Sequence, residues 1–450
     1  MVKLSGMLSR FKAVSVLVIG DFMLDTYTTG KVKRISPEAP VSVLHVQKEE
    51  SRPGGAGNVA LNLLSLGASV IAVGRVGGDV AGESLCDALR TEGVNTDYLL
   101  VQQGYKTPVK NRLIAEAQQI LRVDFESITP LPLSLEETIL TSLSSLLDQV
   151  QTVAISDYGK GFLSRAFLQQ VIAMASLKGI PVIVDPKGED FSKYAGASVI
   201  KPNLLEAYTA AKLPLDTPLE KVATHLLQHC GIEQLMVTRS EAGISLFTNT
   251  GSCTHFPVRS KEVKDMTGAG DTVLAMIGIA LANQLEIKYG IQLANIAAAI
   301  SVERLGCARI TLSEVAERLL EVDVENKIFD EEHLFALQQA LKGKCYTVLG
   351  IDSAEGMSTA LFRALRKLSS SDQKLIAYLY DDKPDEEFIS FLSSLNEVDF
   401  IVLKSESLKH LCDALHPHQV FVLEEQRLIP LDHPLALLSR IREVATRPFA

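Results

Sequence analysis

The chain has 450 residues, 47% of them hydrophobic and 22% charged, with a formal net charge of -10. That length predicts two or three domains, and that composition excludes a disordered chain. The negative balance argues against a general nucleic-acid binder but leaves room for one small anionic ligand in a local basic pocket.

The first predicted strand is Val14 to Ile19, a continuous apolar run suited to a buried parallel sheet. It ends in Gly20-Asp21, with Asp25 four residues on. Val41 to Val46 and Lys110 to Val123 alternate apolar and polar, as strands with one wet face do. They predict a small flap at the edge of a larger domain. From Gly57 the rhythm is regular: helix at Asn58 to Leu66, strand at Val70 to Val73, helix at Leu135 to Asp148, strand at Val153 to Ser156. It continues with a helix at Phe167 to Lys178, strands at Val182 to Asp185 and Val199 to Lys201, a helix at Leu219 to His229 and a strand at Leu235 to Thr238. Such alternation predicts βαβ units, a parallel sheet with helices on both faces, and ligands at the carboxyl ends of the strands. Asp21, Asp157, Asp185, Asn203 and Arg239 all follow such ends.

An acidic, loosely patterned stretch at Asp323 to Glu332 reads as a linker. Strand-like runs at Tyr346 to Ile351, Leu375 to Tyr380, Phe400 to Leu403 and Val420 to Leu423 then predict a second, smaller α/β domain. The six cysteines are scattered, with no C-x-x-C pair, which fits buried thiols in a reducing compartment. No secretory signal is visible, and the apolar run Val273 to Ala282 is short of the roughly 20 residues a membrane span needs. The expectation is a soluble, cytoplasmic protein without membrane or nucleic-acid partners.

Three clusters could carry chemistry. Arg52-Pro53-Gly54-Gly55-Ala56-Gly57-Asn58 runs into a helix; its glycines allow backbone approach to a ligand, or Asn58 merely caps the helix. Asn203 and Glu206 share the first turn of a helix; they could hold waters on a magnesium ion, or form a capping box. Asp265-Met266-Thr267-Gly268-Ala269-Gly270-Asp271 precedes an apolar helical run. There Asp271 could accept a hydroxyl proton while Gly268-Ala269-Gly270 brings N–H groups to a phosphate, or the acid could simply complement the helix dipole.

The motifs occur in a set order: G-D-x-x-x-D at Gly20 to Asp25, G-G-A-G-N at Gly54 to Asn58, D-P-K-G at Asp185 to Gly188, P-N-x-x-E at Pro202 to Glu206, T-R-S-E-x-G at Thr238 to Gly243, and D-x-T-G-A-G-D at Asp265 to Asp271. This order resembles the ribokinase-like PfkB family of sugar kinases, roughly over Val14 to Leu320. Arg34-Ile35-Ser36-Pro37-Glu38-Ala39-Pro40-Val41, Leu121-Arg122-Val123-Asp124-Phe125-Glu126 and Ser156-Asp157-Tyr158 are similar to its heptose-7-phosphate kinase branch, whose common form is fused to an adenylyltransferase.

The resemblance implies a three-layer α/β/α ribokinase-like fold with a small β-lid, over residues 1–322 with lid segments near 22–50 and 105–125. A linker at 323–333 and a Rossmann-like domain at 334–450 would follow. It implies ATP-dependent phosphorylation of D-glycero-β-D-manno-heptose 7-phosphate at its anomeric hydroxyl, in ADP-heptose and lipopolysaccharide precursor synthesis. Asp271 would be the base, with N–H groups of Ala269, Gly270 and Asp271 as an anion hole. Asn203, Leu204, Leu205 and Glu206 would serve the cofactor, with Asn203 and Glu206 organising Mg²⁺ through water; Arg239 and Gly243 would lie at the nucleotide. Asp25, Gly54, Gly55 and Asn58 would hold sugar hydroxyls, and Lys110, Arg112, Arg122 and Lys187 are unranked candidates for the sugar's phosphate. A monovalent-cation requirement stays open, and a homodimer is implied. The remaining alternatives are a kinase for fructose, ribose or another sugar phosphate, and a non-catalytic scaffold.

The fused relatives carry T-N-G-C-F-D and H-x-G-H after the first strand of the second domain. This chain has Gly350-Ile351-Asp352-Ser353-Ala354-Glu355-Gly356-Met357 there and no H-x-G-H anywhere; its one close histidine pair is His416-Pro417-His418. Phe421-Val422-Leu423-Glu424-Glu425 replaces the family's later K-G-G-D-Y-like segment. The expectation is a degenerate nucleotidyltransferase domain without adenylyl transfer.

Overall fold

A computed structural model describes residues 8, 11–116, 118–258, 263–304, 306–322, 327–329, 334–369, 373–381, 384–403 and 408–431. The chain divides into two compact units, Phe11–Thr311 and Leu312–Ala450 together with Met1–Arg10. The division comes before the expected boundary at 322. The helix Leu312–Val322 packs on the helix Leu334–Leu341 of the second unit, and Lys344 pairs with Glu317. Most of the expected linker lies outside the described residues, but Ile328–Phe329 forms a short strand.

The first unit is built on strands β1 (Ser15–Gly20), β2 (Phe22–Ile35), β3 (Ser42–Gly55), β4 (Ser69–Gly77), β5 (Asn95–Gln102), β6 (Val109–Ala115), β7 (Gln118–Phe125), β8 (Thr152–Ser156), β9 (Val182–Asp185), β10 (Val199–Ile200), β11 (Gln234–Thr238), β12 (Ile244–Thr248) and β13 (Cys253–Phe256). Nine of them form one sheet in the order β13-β12-β11-β10-β9-β8-β1-β4-β5. It is parallel from β5 to β11, with β12 and β13 added antiparallel at one edge. The chain leaves β1 toward β4 on one side and later returns to β8 on the other. A crevice opens at such a reversal, outside the carboxyl ends of the strands.

Alternate residues of these strands bury opposite faces. Leu17, Ile19, Val153, Ile155, Val182 and Val184 join one core with helical residues such as Leu143, Phe167, Val171 and Leu226. The helices Ala56–Ser65 and Ala269–Ala282 pack on each other and on β1 and β8. The Ala269–Ala282 helix is apolar nearly all round because it is buried nearly all round.

Four strands make a separate sheet, β3-β2-β6-β7, which is the expected lid. Its 14-residue strand β2 falls in the expected lid segment near 22–50 but could not be drawn as a strand, since its first nine residues are covered and show no clean alternation. The helix Val80–Glu92 also escaped that reading, although Asp79 caps its start and Gly93, at φ 99°, ends it.

The second unit carries β14 (Ile328–Phe329), β15 (Tyr346–Ile351), β16 (Lys374–Leu379), β17 (Phe400–Leu403), β18 (Gln419–Glu424) and β19 (Arg427–Pro430), in the order β14-β17-β16-β15-β18-β19. All pairings are parallel except β18–β19. Helices such as Leu334–Leu341 and Thr359–Leu368 cover its two faces in separate apolar cores. Among the described residues, no helix is long and apolar enough to cross a membrane.

Candidate active site

Asp271 stands in the first turn of the Ala269–Ala282 helix and is only 5% exposed. A buried carboxylate needs donors, and two side chains supply them. Asn58 Nδ2 donates to Asp271 Oδ2 at 2.7 Å, and Tyr158 OH donates to Oδ1 at 2.9 Å. Burial pushes the Asp271 carboxyl up, while these two bonds and the nearby Lys201 pull it back without cancelling the rise. Burial and the charge of Asp271 hold Tyr158 well above the usual phenol range, so it stays a donor.

The loop ahead of the helix is fixed by Asp265. Its Oδ1 accepts from Thr267 N at 2.9 Å and Thr267 Oγ1 at 2.7 Å, and its Oδ2 from Gly306 N at 2.9 Å. Burial alone would push Asp265 up; these donors outweigh it and leave the carboxyl below its ordinary value. Gly268 has φ 81°, and a Cβ there would press on Asn58 Nδ2 at 2.8 Å. The Ala269 N–H is engaged with Met266 O at 3.3 Å. The N–H groups of this turn left for an outside acceptor are therefore those of Gly270 and Asp271, which lie too early in the helix for an intrahelical partner. Beside them Lys201, 3% exposed, pairs with Asp185 at 3.0 Å. Burial raises Asp185 to about 6 despite that cation.

A cleft of about 780 Å³ opens in front of this turn, bordered by Gly270, Lys201, Glu206, Arg239 and Asn295. Asn203, Gly243 and Lys187 also line it. The capping-box alternative for Asn203 and Glu206 is realised: Glu206 N donates to Asn203 Oδ1 at 2.9 Å, and Asn203 N to Glu206 Oε2 at 3.0 Å. Glu206 Oε1 also accepts from Lys187 Nζ at 2.8 Å. Glu206 and Asn203 thus sit in the cleft wall with both carboxylate oxygens and the one amide oxygen already accepting hydrogen bonds. Leu204 and Leu205 do not line the cleft; they are 40% and 64% exposed on the outer side of the turn. Gly243 has φ 79°, and a Cβ there would run into Phe256 O, so its glycine is required by the backbone.

The lid supplies the other wall. Asp25 pairs in register with Arg52 and Lys110, Lys110 with Asp124, and Arg112 with Tyr27 and Arg122. Cross-strand partners share a face, so these charges form one patch. Arg112 Nη1 donates to Asp25 Oδ1 at 2.6 Å in a largely buried pair. Gly54 leaves room for Asp25, since a Cβ there would run into its carboxylate; Gly55, at φ 57°, turns the chain into the helix carrying Asn58. Lys110 Nζ lies 4.9 Å from the centre of the Tyr158 ring, and burial lowers its affinity for its proton. Arg122 is half exposed and forks onto Asp124 at 2.8 and 2.9 Å. Lys187 belongs to the cleft beside Glu206 and not to this patch. Tyr158, Lys201, Asp185 and Asp265 are the site-forming residues that the sequence did not single out as ligands; their positions at strand ends and inside the quoted motifs were the available signal.

In the second unit the turn after β15 is tied down. Ser353 N donates to Asp381 Oδ1 at 3.1 Å, Ser353 Oγ bonds the same carboxylate, and Asp385 N donates to Ser353 Oγ at 3.1 Å. This joins the carboxyl ends of β15 and β16, where an α/β domain binds ligands.

Comparisons with known proteins agree with this geometry. The model of the pfkB family of carbohydrate kinases matches residues 14–314. A protein of Trichlorobacter lovleyi named bifunctional protein HldE is 41% identical over 75% of this chain and 70% of its own length. One of the same name from Pelobacter propionicus is 36% identical over 92% of this chain and 89% of its own length. Among solved structures, Arabidopsis thaliana ribokinase complexed with ribose and ATP superposes with a TM-score of 0.55 at 19% identity, covering 68% of this chain and 99% of that one. Escherichia coli phosphofructokinase-2 in complex with potassium gives 0.56 at 20% identity, covering 69% and 99%. The chain belongs to the pfkB family of carbohydrate kinases, has the ribokinase fold, and is a phosphotransferase acting on a sugar hydroxyl.

Proposed function

We propose that this kinase transfers the γ-phosphoryl group of ATP to the anomeric hydroxyl of D-glycero-β-D-manno-heptose 7-phosphate, giving the 1,7-bisphosphate for ADP-heptose and lipopolysaccharide core synthesis. The observation that carries the reading is the buried Asp271, held between Asn58 and Tyr158, with Lys110 of the lid lying over the ring of that same Tyr158. The likeness to proteins named bifunctional protein HldE supports the heptose assignment.

Asp271 takes the proton of the attacking hydroxyl, in reach of a base oriented at both oxygens. The Gly270 and Asp271 N–H groups, with the helix dipole behind them, stabilise charge developing on the transferring group. Lys201 adds a cation beside them. Asp25, Gly54, Gly55 and Asn58 hold the sugar, and Lys110 is the first choice for its phosphate because its amine has no carboxylate as close as Arg112, Arg122 and Lys187 have. Arg239 and Gly243 border the nucleotide. Mg²⁺ would neutralise the β- and γ-phosphates, with Asn203 and Glu206 holding its waters; oxygen donors already engaged in a capping box suit a metal that keeps its waters.

The second unit carries no adenylyl transfer in this reading, since it lacks the histidine motif and ties Ser353 to Asp381. The lid exposes Val32, Val46 and Leu121 on its strands, which supports a homodimer in a cytoplasmic enzyme. Light scattering that gave a monomer mass would remove the dimer.

Steady-state assays with heptose 7-phosphate beside fructose 6-phosphate and ribose test the substrate. The highest kcat/KM should belong to heptose 7-phosphate. A preference for either other sugar would retain the kinase and discard the heptose.

A further inference from the structure

Away from the cleft, β13 forms the antiparallel edge of the large sheet and lies near the helix Leu219–Cys230. Among the described residues, the ligand atoms of Glu220, Cys253 and His255 lie within 4.8 Å of one another, the one such group of three. All three residues are exposed. Cys253 and His255 project from the same face of β13, two residues apart.

Two observations make this more than a chance cluster. Cys253 Sγ and His255 Nε2 are 3.6 Å apart. Zinc–sulfur and zinc–nitrogen bonds of about 2.3 and 2.0–2.1 Å at a tetrahedral angle put those two atoms about 3.6 Å apart. The spacing already matches one edge of a zinc tetrahedron. The imidazole is also oriented from behind: His255 Nδ1 is 2.7 Å from Oγ of the fully buried Ser245, its register partner on β12. With Nδ1–H donated to that oxygen, Nε2 is left as the lone-pair nitrogen beside the thiol. This is the outer hydrogen bond that metal-binding histidines characteristically make.

We propose that Glu220, Cys253 and His255 form a binding site for a thiophilic divalent cation, zinc by preference, that clips the edge strand to the neighbouring helix. The mixed sulfur, nitrogen and carboxylate set selects zinc over the hard Mg²⁺ of phosphoryl transfer. On binding, the Cys253 thiol gives its proton to the buffer. Sulfur, Nε2 and a Glu220 oxygen take three of the four tetrahedral positions, the ion sheds five of its six waters, and one water remains on the solvent side. The ion would stabilise the folded chain by binding it in preference to the unfolded one.

The test uses the full chain, Cd²⁺ as a spectroscopic stand-in and Zn²⁺ itself. Cd²⁺ should produce one thiolate charge-transfer band per chain, and Zn²⁺ should displace it. Cys253→Ser should abolish the band, and His255→Ala should weaken binding at least tenfold. Ser245→Ala should weaken it roughly 10–100-fold, as loss of an outer-shell partner does. Cys345→Ser is the control, because Cys345 Sγ also lies 3.6 Å from a histidine nitrogen, His418 Nε2, with no third ligand among the described residues. It should leave the band intact. A band that survives in Cys253→Ser, or zinc affinity unchanged in His255→Ala, overturns the proposal. Unchanged circular dichroism of each variant separates lost ligands from a lost fold.

Discussion

Asn58 Nδ2 lies 2.7 Å from Asp271 Oδ2, a buried hydrogen bond between the glycine-rich segment and the helix of the T-G-A-G-D motif. The two residues start neighbouring helices that pack on each other beneath the crevice. One bond therefore joins the sugar-side loop to the proposed base, while Tyr158 holds the other carboxylate oxygen.

Asp271→Asn keeps the volume and removes the base. The expected result is a loss of kcat of at least ~10²-fold with ATP binding retained. Calorimetric nucleotide titration beside turnover measures both, and unchanged turnover would reject Asp271 as the base.

Tyr158→Phe removes a bond that pulls the Asp271 carboxyl down. The carboxyl should rise further, so it stays protonated to higher pH. The acidic limb of the kcat profile should move to higher pH, with Asn58→Ala moving it the same way. A purely structural Tyr158 would lower activity without displacing that limb.

Lys110→Met should raise KM for the sugar phosphate by roughly 10–100-fold, the worth of one hydrogen bond to a charged group. KM for ATP should stay near its starting value. Arg122→Met, which removes a cation already forked onto Asp124, should have a smaller effect. Equal changes in both KM values for Lys110→Met would count against a phosphate role.

Asp21 accepts from Tyr158 N at 2.9 Å and Lys160 N at 3.0 Å through one oxygen, which an asparagine can reproduce. Burial and the neighbouring Asp157 raise its carboxyl from 3.8 to about 6. Its protonated form is thus favoured by folding: the contribution is fully present below 3.8 and is lost as pH rises through about 6. The loss is on the order of 3 kcal/mol. Asp21→Asn should gain stability relative to the parent across that window. Urea midpoints on either side of it would decide, and parallel pH profiles for the two proteins would refute the assignment.

With heptose 1-phosphate and ATP, the intact chain should form no ADP-heptose. Turnover comparable to its kinase rate would show that the second unit works without H-x-G-H.

The buried strands were legible because apolar runs such as Val14 to Ile19 leave few other folds open, and Val182 to Asp185 is found with those limits. The lid was legible only in part. Its strand β2 changes from covered to exposed along its length, so no single period describes it. The sequence reading drew the boundary at 322 and the compact units divide at Leu312, because Leu312–Val322 is an amphipathic helix whose apolar stripe does not say which unit it will cover.

By itself the sequence determined the alternation that builds a parallel sheet, the glycines at turns, and the acid beside them, because backbone conformation and burial are local demands on residue type. It left Asn203 and Glu206 between two readings and four cations without rank. Only the tertiary structure decided their contacts: it closed the capping box, forked Arg122 onto Asp124, set Arg112 on Asp25, and brought Lys110 over Tyr158. Each is an interaction whose energy depends on distance and on exclusion of water, and neither is written in the spacing of residues along a chain.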